Sequence, residues 1–162
     1  MRVKGIVDED FINYKKPSMF ISTCTCDFKC CREQGLDISV CQNSEIASQP
    51  TIEVPVEHIY ERYIKNDITS AIVIGGLEPF QQTEDLWWTI HYFRERGCND
   101  DFVIYTGYTI EEIPAKVLHL RDVAKVGLVV KFGRFIPRQE KHYDEILGVW
   151  LASDNQRGVK IC

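Results

Sequence analysis

The sequence predicts an α/β fold with a mostly parallel sheet, and three observations carry that expectation. Continuous apolar runs of strand length stand at Ser70–Gly75, Asp101–Thr106 and Val123–Val130, the pattern of strands buried on both faces. Segments of helical periodicity separate them, which marks βαβ units. The chain has 162 residues, the size of a single domain spanning 1–162. A closed eight-stranded α/β barrel takes roughly 250 residues and is excluded.

The elements follow in order. Ser18-Met-Phe-Ile-Ser-Thr-Cys24 has a β-rich centre and reads as a strand that delivers a cysteine loop at its C-terminal end. Residues 25–44 are polar and irregular, a long loop of the kind that is usually functional. Pro55 opens a helix through about Asn66, with Ile59, Tyr60, Tyr63 and Ile64 at helical spacing. The strand Ser70–Gly75 is broken by Gly75-Gly-Leu-Glu-Pro-Phe80. A helix over 83–96 follows, with Leu86, Trp87, Ile90 and Phe93 on one face. After the strand Asp101–Thr106, Thr109 and Glu112 form a capping box that opens a short helix. Val123–Val130 and Ile146–Ala152 read as the last strands. In parallel sheets reactive groups collect at the C-terminal strand ends. Cys26, Gly75-Gly76, Tyr105-Thr-Gly107 and Lys131-Phe-Gly133 are therefore expected on one rim.

Composition narrows the function. Hydrophobic residues make up 44% and charged residues 27%, and the net charge is −5. An acidic chain argues against a nucleic-acid binder held by phosphate contacts. No apolar stretch approaches the roughly 18 residues of a membrane span. The start, MRVKGIVDEDF, turns acidic where a signal peptide needs an apolar core. The expectation is a cytoplasmic protein. Residues 115–141 reverse the balance with seven Lys/Arg against two acids, either a solvated face or a docking patch for an acidic partner.

The cysteines carry the chemistry. There are seven, an odd number, and five fall between Cys24 and Cys41. Clustering of this kind points to metal binding rather than to a disulfide framework. Zinc and iron–sulfur clusters are the leading thiolate partners. A second Cys knuckle is missing, and His58, His91, His119 and His142 are isolated, although a four-cysteine zinc site within 24–41 stays open. Cys98 and Cys162 read as buried small apolar groups.

These residues together resemble the radical S-adenosylmethionine (SAM) enzymes, which hold a 4Fe–4S cluster through Cys-x3-Cys-x2-Cys after the first strand. Cys26-Asp-Phe-Lys-Cys30 supplies the first pair, and Cys41-Gln-Asn resembles the third cysteine with its polar followers. Gly75-Gly76-Leu-Glu78-Pro79 resembles the Gly-Gly-Glu-Pro motif with one extra Leu. Within that superfamily the chain is most similar to the activating proteins of anaerobic (class III) ribonucleotide reductase. Tyr105-Thr-Gly-Tyr-Thr-Ile-Glu-Glu112 resembles their Trp/Tyr-Thr-Gly-Tyr segment, and Val130-Lys-Phe-Gly-Arg-Phe-Ile136 their Val-Asp-Gly-x-Phe-Ile turn. Ser153-Asp-Asn-Gln-Arg157 resembles their Ser-Ser-Asn-Gln stretch.

The resemblance implies a partial radical SAM-type βα barrel, a 4Fe–4S cluster and S-adenosylmethionine as cofactors. It implies a glycyl radical made on the large subunit of an anaerobic ribonucleotide reductase, with a flavodoxin or ferredoxin as electron donor. Cys26, Cys30 and Cys41 would hold the cluster. Gly75 and Gly76 would approach the methionine amino group, Glu78 would hold a ligand or cap the next helix, and Tyr105 and Gly107 would line the adenosine pocket. Two departures stand out. Ten residues separate Cys30 from Cys41 where the motif has two, and Val40 occupies a position commonly aromatic. Each doubling of a loop costs only about 0.6 kcal/mol, so the insertion does not forbid the cluster. Cys31 in place of Cys30, and Cys24 in place of Cys26, are rival ligands. The rival functions are radical SAM chemistry on another substrate and a non-catalytic four-cysteine zinc or scaffold domain.

Overall fold

The computed structural model describes all residues, Met1–Cys162. In chain order the elements are β1 (Arg2–Asp10), β2 (Ser18–Thr23), α1 (Lys29–Glu33), α2 (Ser44–Ser48), β3 (Ile52–Glu53), α3 (Val56–Ile64), β4 (Ala71–Gly76), α4 (Thr83–Glu95), β5 (Asp101–Tyr105), α5 (Pro114–Ala124), β6 (Leu128–Phe132), β7 (His142–Asp144), β8 (Val149–Leu151) and β9 (Arg157–Lys160). A seven-stranded sheet runs in the order β3-β1-β2-β4-β5-β6-β9. Its central strands β2, β4, β5 and β6 are parallel, while β1, β3 and β9 add antiparallel edges. The α/β expectation holds, with the parallel part at the centre.

Strand alternation explains why the two faces differ. Met19, Ile21, Ile72, Ile74, Phe102, Ile104, Leu128 and Val130 point to the face covered by α3, α4 and α5. There Leu86, Ile90 and Phe93 of α4 are fully buried, each contributing about 1.5–3 kcal/mol. The opposite face carries Ala71, Val73, Val103 and Val129, which meet Leu147 and Leu151 of the β7–β8 hairpin and Tyr14 of the β1–β2 loop. No helix covers this second face. The hairpin fills its lower part, so the C-terminal ends of the parallel strands stay open above it.

The register aligns those ends. Ser22 pairs with Gly75 and Thr23 with Gly76, and Tyr105 pairs with Lys131. The predicted strands at 18–24, 70–75 and 101–106 and the helices after Pro55 and over 83–96 are all present. Three details differ. Val123 and Ala124 end α5, and the strand starts at Leu128, because an apolar run alone does not separate a helix end from the following strand. The helix expected at Thr109 begins at Pro114, with Pro in its first turn. Glu112 still reaches back to the Thr109 N–H at 2.8 Å, so half of the box forms outside the helix. The segment 146–152 begins in a turn through Gly148, and its strand covers Val149–Leu151 only. No helix is long and apolar enough to cross a membrane.

Candidate functional site

The cysteine segment is fastened at both ends to the broken end of β4. At its start, the Cys24 N–H donates to Gln82 Oε1 at 2.7 Å, and the Glu78 N–H donates to the Thr25 carbonyl at 2.8 Å. At its far end, the Asn43 side-chain amide donates to the Gly76 carbonyl. Between them the chain is less irregular than its composition suggests. Phe28 adopts a left-handed conformation and opens α1, which carries Cys30 and Cys31. A 3-10 turn over Ile38–Val40, capped by Asp37 on the Ser39 N–H, delivers Cys41.

This path brings Cys26, Cys30 and Cys41 to one cavity of about 280 Å³ at the C-terminal rim. Gly76, Glu78, Tyr105 and Gly107 line the same cavity. Cys24 and Cys31 do not: Cys31 is buried, with its Sγ 3.9 Å from that of Cys30. Gly75 lies one position below, on the open face of β4, where a Cβ would stand 3.2 Å from Tyr105 Cβ and 3.3 Å from the Phe20 ring. Its hydrogen lets those two residues close over the strand and form the cavity floor. Gly76 has φ +79°, and a Cβ there would meet Ser22 Cα at 3.0 Å. Glycine is required at that step.

Backbone amides serve two of the thiols. The Phe28 N–H lies 3.2 Å from Cys26 Sγ, and the Asn43 N–H lies 3.4 Å from Cys41 Sγ. Burial pushes the Cys26 thiol up to about 11, against the pull of that amide. Cys30 is lowered, chiefly by a hydrogen bond from the Cys41 thiol, and Cys41 is raised as the donor. Glu78 is buried, and its carboxylate is fully engaged. Oε1 accepts from the Thr106 hydroxyl at 2.7 Å and the Phe80 N–H at 3.1 Å, and Oε2 accepts from the Gly107 N–H at 2.9 Å. Glu78 thus caps the 3-10 turn at Pro79–Gln81 and binds the β4 end to the β5 end. Burial raises its pKa against those three donors. The Tyr105 hydroxyl donates to the Asn13 carbonyl at 2.6 Å, which holds its ring in the cavity wall.

The reading of the sequence missed Lys131 as an individual site residue. It is only 7% exposed and lines the cavity. Its ammonium donates to the Gly133 carbonyl at 2.9 Å and sits 5.8 Å from the centre of the Tyr105 ring. Burial pushes its pKa down to about 8, with Glu78 and Cys30 pulling it back. The signal was present, since a lone cation inside Val129-Val130-Lys131-Phe132 falls on the strand face opposite Val130. Asn43 stood out only as a polar follower of Cys41, and the apolar lip formed by Ile12, Phe135 and Trp150 carried no such signal. The basic segment 115–141 does not form one patch: Lys131 points inward, Lys116 donates to the Phe80 carbonyl, and Arg134 pairs with Glu112.

The donor set fits an iron–sulfur cluster. Thiolates are its usual ligands, and hydrogen bonds to the sulfurs tune it. No three His, Cys, Asp or Glu side chains stand together as a single-ion site, and Cys26, Cys30 and Cys41 line one cavity. No curated protein matches the chain. The family model described as a 4Fe-4S single cluster domain matches residues 15–158, a span that includes every residue of this cavity except Ile12 and Asn13. The chain belongs to the 4Fe-4S single cluster domain family.

Proposed function

We propose that the chain is a radical SAM activase that reductively cleaves S-adenosylmethionine and generates a glycyl radical on an anaerobic ribonucleotide reductase. The observation that carries this reading is the meeting of Cys26, Cys30 and Cys41 with the ends of β4, β5 and β6 in one cavity. Cys26, Cys30 and Cys41 would hold the cluster. When bound, such a cluster would supply the one electron that reductively cleaves the sulfonium of S-adenosylmethionine.

The protein's own groups would orient and shield. The backbone at Gly76 lines the cavity and would receive the methionine portion. Lys131 has one fixed acceptor, and an ammonium carries three donors. Its remaining N–H groups would bind the methionine carboxylate. Glu78 holds the Thr106–Gly107 turn, so Tyr105 and Gly107 would present a fixed wall to the adenosine. Ile12, Phe135 and Trp150 would keep water from the reacting carbon. The partner assignment rests on the resemblance of 105–112, 130–136 and 153–157 to the reductase activating proteins.

The test is anaerobic reconstitution, reduction in the presence of S-adenosylmethionine, and assay for 5′-deoxyadenosine, followed by electron paramagnetic resonance with the cognate reductase. Product together with a glycyl radical supports the whole reading. Product without a glycyl radical would redirect the radical to another substrate.

A further inference from the structure

The cysteine segment touches the rest of the molecule through few polar groups. Between Cys26 and Gln42, the hydrogen bonds and ion pairs that reach beyond the adjoining Asn43 and Ser44 come from Lys29, Glu33 and Gln34 alone. All three end in one place. Lys29 pairs with Glu112, Glu33 with Arg134, and the Gln34 side-chain amide donates to the Phe135 carbonyl at 3.0 Å. The same Gln34 amide donates to the Cys30 carbonyl at 2.8 Å, so it ties α1 itself to the turn after β6.

Arg134 is the centre of this group. Its Nη1 and Nη2 donate end-on to both oxygens of Glu112, at 2.8 and 2.6 Å. Its Nε lies 2.8 Å from Glu33 Oε2 as a charge contact, and Nη2 is 3.5 Å from Glu33 Oε1. Nη1 also reaches the Gly107 carbonyl at 3.4 Å. The Asn155 amide holds the Arg134 carbonyl at 3.0 Å, which anchors the residue to the loop before β9. The Arg134 side chain is 14% exposed and Glu112 27%, so this fork is partly shielded, while Glu33 at 48% stands open to solvent. On its inner side Arg134 shares a small void of about 30 Å³ with Cys26, Cys30, Glu78 and Gly107. One guanidinium thus faces the segment's carboxylate on one edge and the carboxylate after β5 on the other.

We infer that Arg134 is a positioning residue that fixes Cys26 and Cys30 against the strand ends by clasping Glu33 of the cysteine segment to Glu112 of the rim. The inference rests on the cavity being the cluster site, and it names what sets the cluster's place within it. A segment inserted between Cys30 and Cys41 gains freedom, and the clasp removes that freedom where two of the three thiols stand. Lysine at 134 would keep the charge but cannot fork to two carboxylates at once.

The test compares the reconstituted wild type with Arg134→Met, Arg134→Lys and Glu112→Gln. Three readouts are needed: amide exchange over 26–36, the rate of iron release to a chelator, and the melting temperature. The expected result is faster exchange over 26–36 and faster iron release in Arg134→Met, each by about tenfold, the factor that 1.4 kcal/mol of local opening gives. Exchange in β4 and β5 stays unchanged. Arg134→Lys falls between, and Glu112→Gln reproduces the defect if Arg134→Met does not fold. Combining Arg134→Met with Glu112→Gln adds less than the sum of the two, because both cut the same contact. Unchanged exchange over 26–36 would overturn the inference, as would a rise spread equally over β4 and β5. A wild-type chain that takes up no iron and sulfide would overturn the cluster reading itself, and the inference with it.

Discussion

At the scale of single residues, the site separates five neighbouring thiols into two groups. Cys26, Cys30 and Cys41 line the cavity, and Cys24 and Cys31 do not. Replacing any of the first three by Ala is expected to abolish cluster uptake, measured as iron and sulfide per chain. Cys31→Ala keeps uptake and lowers stability by about 1 kcal/mol, as a small buried deletion does. The paired glycines also separate. At Gly76 a side chain meets both a left-handed backbone and Ser22 Cα, so Gly76→Ala is expected to cost about 1–2 kcal/mol from the conformation alone. At Gly75 the neighbours are the Phe20 ring and Tyr105 Cβ, and the backbone is ordinary. Gly75→Ala should therefore cost less in urea unfolding while displacing the cavity floor. If Lys131 binds the methionine carboxylate as proposed, Lys131→Met would remove a charged hydrogen bond worth about 1.5–3 kcal/mol. Binding of S-adenosylmethionine is expected to weaken by roughly ten- to hundredfold, while a decarboxylated analogue binds both proteins alike.

At the scale of elements, the parallel centre was legible and the edges were not. Ser70–Gly75 and Asp101–Thr106 announce themselves because both their faces are buried and their centres are continuously apolar. β1 is nine residues long yet hard to see in the sequence, because Arg2, Lys4, Asp8, Glu9 and Asp10 mask its alternation. An edge-side strand tolerates such charges. Arg157 and Lys160 hide β9 for the same reason. The cysteine segment looks irregular in sequence because its helical pieces are only five residues long, too short to show an apolar face. Long-range polar ties are the least visible feature of all. Arg94 on α4 donates to the carbonyls of Cys98, Asp100, Ala124 and Val126, joining the turns before β5 and β6. Arg94→Met is expected to lower stability by about 1.5–3 kcal/mol in urea unfolding, since these carbonyls lose a charged donor. The clasp gives a pH prediction. Arg134 and Lys29 hold the Glu112 carboxyl well below the usual carboxylate range. A depressed acid contributes stability above its unfolded pKa of about 4.3, and that contribution is lost as pH falls through the folded value. The stability difference between wild type and Glu112→Gln is therefore expected at neutral pH and to vanish under strong acid.

At the scale of the whole molecule, one face of the sheet is closed by α3, α4 and α5, and the other is left open above a two-stranded hairpin. This asymmetry creates the site, because the parallel strands end together on the open side and the cysteine segment folds over them. The convergence of motifs on one rim followed from strand polarity and was legible in advance. The choice among five thiols kept its rivals at the level of sequence, because it depends on how α1 and the 3-10 turn before Cys41 orient the loop. The most direct measurement is 5′-deoxyadenosine production by the anaerobically reconstituted, reduced protein, run beside Cys26→Ala, Cys30→Ala, Cys31→Ala and Cys41→Ala. The account predicts product from the wild type and from Cys31→Ala, and none from the other three. A wild type that binds zinc, stays colourless and makes no product would contradict it, as would loss of product in Cys31→Ala with retention in Cys30→Ala.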